Sequence, residues 1–181
     1  MALAAESWQR GEIPGPIKAF AIKEPRTIAT ILKRAKRPLL VAGHKILEYR
    51  DKGIDLVEYL GELSRLIGGR IVATSHVVTE FRARGYEAYF IPPMELLDRL
   101  MDPEWKGLDG EGNYDLVVFI GMYYYMEWLI LSGLKHFAYK HLKTVTLDPY
   151  YQPHANWSLP NMPVEKWIKY LDELKHRLGE G

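Results

Sequence analysis

The chain has 181 residues, of which 48% are apolar and 26% charged, the composition of one ordinary globular domain. It contains no cysteine, so the chain itself supplies no disulfide, thiolate nucleophile, zinc finger or iron–sulfur ligand. Its formal net charge of +1 lacks the basic excess that is typical of nucleic-acid-binding proteins.

No apolar run approaches the roughly 18 residues that a membrane-spanning helix requires. The first residues, MALAAESWQRGEIPGP, lack the basic start of a signal peptide, and Glu6 interrupts their short apolar stretch. We therefore expect a cytoplasmic protein that binds neither membranes nor nucleic acid.

Residues 1–22 are predicted to form an arm that precedes a single α/β domain over residues 23–181. Glycines and prolines interrupt the arm, which has no helical or strand period. Two interpretations stay open. The arm is either a frayed terminus or a docking segment whose Trp8, Ile13 and Phe20 fill pockets on a partner.

A basic amphipathic helix is predicted over residues 25–36. Ile28, Ile31 and Leu32 recur at helical spacing, and a proline stands at the start. The charged residues of this stretch are almost all basic. The ordinary interpretation is a solvated face, and the alternative is a docking face for an acidic partner.

From residue 38 onward, short apolar strands alternate with amphipathic helices. Strands are predicted at 38–43, 70–74, 86–91, 114–121 and 143–148. Helices are predicted at 54–67, 76–83, 93–101, 125–138 and 163–178, and loops at 102–113 and 149–162. Strands that are apolar throughout are buried on both faces, as in a parallel sheet that helices cover. The pattern predicts a doubly wound, mostly parallel, Rossmann-like α/β domain.

In such folds, ligands bind beyond the carboxyl ends of the strands. Glycine amides at these ends suit a phosphate, and tyrosine rings suit an adenine or a flavin. The candidate cofactor-binding residues are Gly43, His44, Thr74, Ser75, Gly121, Tyr123, Tyr124, Asp148 and His154. We expect a nucleotide, if one binds, to lie between residues 43–45 and 121–125, with 74–76 or 148–156 closing one side.

The motifs of known nucleotide sites are absent, however. The first strand–helix turn, GHKILEYRDKG, has one early glycine where the dinucleotide fingerprint needs three, and no GxxxxGK[ST] occurs. The polar residues therefore also fit the simpler role of capping turns and helices. Asp148 stands alone, without a second carboxylate among the strand ends, and GxSxG is missing, so no catalytic residue is predicted.

Three histidines, His44, His76 and His154, fall at predicted strand ends and have the ligand type that zinc prefers. The chain has no HExxH motif, and no close-set histidine pair lies at helical spacing. We predict no metal site.

Several segments carry a resemblance to known proteins. AKRPLLVAG (35–43), YDLVVFIG (114–121) and KTVTLD (143–148) resemble strands of the NAD/FAD-binding type of domain found in deoxyhypusine synthase, thiamine-diphosphate enzymes and electron-transfer flavoproteins. TLDPYYQPHANWSLPNM (146–162) is more specific. Together with the basic first helix, GHKILE and FIGMYYY, it resembles the epsilon subunit of the archaeal acetyl-CoA decarbonylase/synthase complex. This resemblance covers residues 17–178.

The resemblance implies a non-catalytic subunit. Epsilon subunits pair with an alpha subunit that carries the nickel and iron–sulfur clusters of carbon monoxide dehydrogenase, in an alpha-two, epsilon-two component of a larger complex in methanogens and related archaea. Their role is given as stabilising alpha or aiding electron transfer to FAD, so FAD is the expected cofactor if there is one, and self-association is expected. The alternative is a free-standing nucleotide- or flavin-binding α/β enzyme.

Overall fold

The computed structural model describes residues 17–180, and in that part of the chain seven strands form one sheet. Every neighbouring pair of strands is parallel, in the order β1-β7-β6-β5-β2-β3-β4. The strands are β1 (Phe20–Ala21), β2 (Pro38–Ala42), β3 (Arg70–Ala73), β4 (Tyr89–Phe90), β5 (Leu116–Ile120), β6 (Lys143–Thr146) and β7 (Trp157–Ser158).

Helices connect the strands on both faces of the sheet. They are α1 (Pro25–Arg34), α2 (Leu56–Ile67), α3 (Ser75–Ala83), α4 (Pro93–Met101), α5 (Tyr124–Phe137) and α6 (Val164–Gly179), with a 3-10 helix over His44–Lys52. Local chemistry explains the bounds of α2. The Asp55 carboxylate accepts hydrogen bonds from two backbone amides of the first turn, and Gly68 ends the helix in the left-handed conformation at φ 66°.

Successive residues of each strand face opposite layers of the core. In β2, Leu40 and Ala42 pack under α1, α2, α3 and α6, whereas Leu39 and Val41 pack under α4 and α5. All five residues of β2 and of β5 are buried, as expected for central strands covered on both faces. The predicted doubly wound, Rossmann-like α/β fold is confirmed.

The structure differs from the sequence prediction where strands are short. The predicted strand at 86–91 is reduced to Tyr89–Phe90, and the predicted loop at 149–162 contains β7. The predicted arm ends in β1, which pairs with β7, while its Trp8 and Ile13 lie outside the described residues. Strands of two residues are too short to show an alternating pattern, so only their pairing partners reveal them.

Candidate functional site

The order of the strands reverses between β2 and β5, because the chain builds β2, β3 and β4 outward and then returns to the other side of β2. The turns that follow these two strands meet at the carboxyl edge. The Gly43 amide donates a hydrogen bond to the Ile120 carbonyl (2.9 Å), and the Lys45 amide donates to the Gly121 carbonyl (2.8 Å). This reversal is where a ligand crevice is expected in such a fold.

The two glycines allow the turns to pass each other. A Cβ on Gly43 would lie 2.2 Å from the Gly121 carbonyl oxygen, which is far inside van der Waals contact. Gly121 adopts a positive φ of 71°, and a Cβ there would lie 2.2 Å from Cγ2 of Ile46. The space beside the Cα atoms of both glycines is thus occupied by atoms of the neighbouring turn.

Asp148 follows β6 and ties the neighbouring turn to it. The side chain is buried, and its two carboxylate oxygens accept the backbone amide of Gly121 at 2.8 and 3.0 Å. The residue therefore holds the turn between β5 and α5 against the end of the next strand, a longer-range role than the capping of its own turn.

A second buried carboxyl, Glu127 of the first turns of α5, lies beside Asp148. Asp148 was predicted to have no second carboxylate among the strand ends, and its neighbour comes instead from helix α5, 21 positions away in the sequence. Burial raises the pKa of Glu127 well above 4.5, and the charge of Asp148 raises it further. Glu127 thus stays protonated at neutral pH and donates a hydrogen bond to Asp148.

Burial also raises the pKa of Asp148, to about 6. The Gly121 amide, the Glu127 hydrogen bond and the charge of Lys45 oppose this rise. The pair consequently carries one proton and one negative charge at neutral pH, an arrangement that pushes the pKa values of two carboxyls apart.

A cavity of about 270 Å³ adjoins this carboxyl pair. The ammonium of Lys45 lies 5.8 Å from the centre of the Tyr150 ring, and Gln152 donates its side-chain amide to the Tyr124 carbonyl at 3.2 Å. Oε1 of Gln152 is buried and makes no hydrogen bond among the described residues, which suits an ordered water. The lining residues are Lys45, Met122, Tyr124, Glu127, Asp148, Tyr150 and Gln152.

Only two of the predicted cofactor residues, Tyr124 and Asp148, line this cavity; Gly43 and Gly121 lie in the packed turns. Tyr123 is exposed instead and stacks on Tyr125, with ring centres 6.0 Å apart.

The remaining predicted residues lie around the ends of other strands. Thr74 and Ser75 begin α3 after β3, and the ring of His44 meets the edge of His76 at 6.4 Å. Among residues 17–180, no three histidine, aspartate or glutamate side chains come together in a way that would hold a metal ion.

His154 lies in a different groove, of about 530 Å³, beside the edge strand β1 and the end of α5. Its ring is buried against Trp128 with centres 4.8 Å apart, and neither ring nitrogen makes a hydrogen bond with any residue of 17–180. Burial lowers the pKa of His154 to about 4, and the nearby charges of Lys135 and His136 act in the same direction. The imidazole is therefore neutral at neutral pH.

An exposed apolar face lies on the α4–α5 side of the sheet. Tyr125 and Leu129 are one helical turn apart on α5 and are 67% and 46% exposed, and Phe90 and Met94 are exposed at the edge strand and at the start of α4. Helix α4 packs directly on α5, so these side chains belong to one side of the molecule. Large apolar side chains grouped on a surface are typical of a contact with another protein.

These features together define a Rossmann-like α/β protein with a buried carboxyl pair at its switch point and an apolar surface. Residues 3–175 match the sequence family described as CO dehydrogenase beta subunit/acetyl-CoA synthase epsilon subunit, and the chain belongs to this family. Two relatives are named acetyl-CoA decarbonylase/synthase complex subunit epsilon. The one from Methanothermobacter thermautotrophicus is 35% identical over 92% of both chains, and the one from Methanothrix soehngenii is 38% identical over 86% of this chain and 80% of its own.

A third relative, subunit epsilon 1 of the same complex from Archaeoglobus fulgidus, is 34% identical over 84% of this chain and 80% of its own. Among the described residues, no helix combines the length and the apolar character needed to span a membrane.

Proposed function

We propose that this chain is a non-catalytic epsilon subunit that binds and stabilises the alpha subunit carrying the carbon monoxide dehydrogenase metal clusters. The observation that carries the proposal is the similarity, over most of the chain, to proteins named as subunit epsilon of the acetyl-CoA decarbonylase/synthase complex. The lack of cysteine supports it, since iron–sulfur clusters need thiolate ligands that another chain must then supply.

The apolar face of Phe90, Met94, Tyr125 and Leu129 supports a role as a subunit, because a free-standing enzyme has no evident use for it. We propose that this face is part of the contact with the alpha subunit in an alpha-two, epsilon-two component.

The proposal is tested by purifying the untagged chain from its native host. It should co-purify with a large iron–sulfur protein, and the isolated chain should oxidise no carbon monoxide. Turnover of carbon monoxide by the isolated chain, or its recovery free of any partner, would contradict the proposal.

A paired substitution examines the apolar face. Leu129→Glu should weaken association with the alpha subunit by roughly tenfold or more, because it places a charge in a desolvated contact. Thr79→Glu, at an exposed position of α3, is the matched control and should leave association unchanged. Equal affinities of the two variants would remove the apolar face from the interface.

FAD binding with electron transfer is a second proposal, favoured by the two tyrosines and the lysine around the cavity. The packed turns do not fit the pyrophosphate of FAD between Gly43 and Gly121, since even one Cβ has no room there. The cavity of about 270 Å³ is slightly smaller than the usual ligand site, so it fits one ring system, and the remainder of the dinucleotide would have to lie outside it.

Titration of FAD, followed by its fluorescence, tests this second proposal. Tyr150→Ala should weaken binding about threefold to tenfold, the worth of one aromatic stack. Tyr139→Ala removes an exposed ring outside the cavity and should not. If wild-type protein binds no FAD, alone or with the alpha subunit, the flavin proposal fails and the subunit proposal stands.

A further inference from the structure

The charges of this protein are unevenly distributed although its formal net charge is only +1. Helix α1 contains no acidic residue, and it packs along α6, whose first turns add two lysines to the same region. We call this region the basic face, defined by the exposed residues Lys23, Arg26, Lys33, Arg34, Lys166 and Lys169.

The helix geometry places the α1 cations on one exposed side of the helix, which we call the cationic row. Lys33 and Arg34 follow Arg26 by seven and eight positions, which is about two turns of an α-helix and up to about 12 Å along its axis. The opposite side of the helix, with Ile28 and Leu32, is buried in the core. The row therefore points away from the domain.

Arg26 and Arg34 differ from every other arginine in residues 17–180. Each of the others contacts a carboxylate, an aromatic ring or a carbonyl oxygen of this chain, as Arg99 does with Glu95 (2.6 Å) on α4. Arg26 and Arg34 have no such contact within the described residues. A guanidinium group can bind a carboxylate through a pair of hydrogen bonds. Two unpaired guanidinium groups on one exposed side of α1 therefore favour a carboxylate-bearing partner.

A groove of about 430 Å³ opens between the start of α1 and α6 in the basic face. Lys23, Lys166 and Lys169 line it, and the buried Tyr170 hydroxyl beside it makes no hydrogen bond within the part of the chain that the structure describes. Burial and the nearby carboxylates raise the pKa of Tyr170, so the hydroxyl remains a donor.

Two acidic residues, Glu24 and Glu173, also line the groove, and Glu173 is already paired with Arg177 at 3.3 Å. These carboxylates would repel a continuous polyanion such as nucleic acid or an anionic membrane surface. A protein surface can instead place its own acidic and basic groups to match them.

We infer that the basic face docks onto an acidic protein surface of another subunit of the same complex. The inference rests on the proposed function, since it takes its partner from the complex. Electrostatic complementarity of this kind mainly raises the association rate and fixes the orientation of the partners, and salt screens it. The basic face lies on the α1–α6 side of the sheet and the apolar face on the α4–α5 side, so the two faces would contact different surfaces of the complex.

The inference is tested by measuring the dissociation constant of the chain for the remaining subunits of the complex, prepared without epsilon. Arg26→Glu/Arg34→Glu should weaken binding at about 50 mM salt by roughly tenfold or more, mostly through slower association, and the difference should shrink at about 500 mM salt. Arg26→Lys/Arg34→Lys keeps the charge but loses the paired hydrogen bonds of guanidinium, so it should bind more weakly than wild type and more tightly than the charge-reversed pair. Lys106→Glu/Lys140→Glu reverses the same number of exposed charges elsewhere and should also bind like wild type.

Several outcomes overturn the inference. If the charge-reversed pair binds within twofold of wild type, the basic face is no docking surface, although the chain is still a subunit. If duplex DNA or vesicles containing anionic lipid bind the wild type more tightly than the subunits do at equal salt, the partner is not a protein. If wild type binds no subunit at any salt concentration, the proposed function and this inference both fail.

Discussion

Replacing Glu127 by glutamine should make the protein more stable at neutral and alkaline pH. In the folded chain, Glu127 is fully buried and kept protonated, whereas in the unfolded chain it ionises near its ordinary pKa of 4.5. The folded state therefore binds more protons than the unfolded state above this pH, so stability falls as pH rises. Glutamine has nearly the same shape, donates a hydrogen bond to Asp148 as the protonated acid does, and cannot ionise.

The size of the effect follows from the linkage relation. Each pH unit above 4.5 costs the wild type about 1.4 kcal/mol for as long as Glu127 stays protonated in the fold. The free energy of unfolding of Glu127→Gln should therefore rise relative to that of wild type as pH increases above 4.5, by up to this amount for each pH unit over which Glu127 stays protonated in the wild-type fold. Asp148, with its pKa raised from 3.8 to about 6, adds a decline in stability as pH rises from about 3.8 to 6, which both proteins share.

Urea unfolding followed by tryptophan fluorescence, at several pH values between 4.5 and 8, measures this difference. Glu104→Gln, at an exposed position of the loop 102–113, should leave the slope of stability against pH unchanged. If Glu127→Gln is less stable than wild type at pH 7 and keeps the wild-type slope, Glu127 is ionised in the fold and the account of the carboxyl pair is wrong.

Further substitutions test the packing of the turns and the environments of two buried rings, His154 and Trp167. Gly43→Ala should lower the free energy of unfolding in urea by about 3 kcal/mol, because its Cβ meets the Gly121 carbonyl. The control Gly68→Ala, at a positive φ in open space, should lower it by about 1 kcal/mol. Equal losses in the two variants would refute the close packing of the turns. His154→Phe should reduce the loss of stability that wild type shows as pH falls below 6.5. The pKa of His154 is lowered from 6.5 to about 4 in the folded chain, so wild type has its full stability above pH 6.5 and loses up to about 3 kcal/mol as pH falls toward 4. If the variant loses stability in acid as steeply as wild type, His154 is not responsible. Trp167→Phe should lower stability by about 2 kcal/mol, because the buried Leu147 carbonyl loses the indole donor at 2.6 Å, and a loss below 0.5 kcal/mol would show that water replaces it.

The sequence alone determined the architecture of the chain and its family. Strands such as 116–120 consist only of apolar residues, and burial on both faces of a sheet requires this of them wherever they lie in the fold. The helices are equally local, since their apolar stripes and their capping residues lie within a few positions of each other. The motif at 146–162 is contiguous, so the family resemblance was also readable without a structure.

Only the tertiary structure brought Glu127 to Asp148 and packed Gly43 against Gly121. Neither contact leaves a signal in the local sequence, because each joins residues on separate elements whose distance depends on the order of the strands. The unpaired state of Arg26 and Arg34 within residues 17–180 likewise depends on the folded chain, since it requires that none of these elements places a carboxylate in contact with either arginine. Local sequence patterns indicate whether a residue is buried, whereas its contact partners depend on how the whole chain folds.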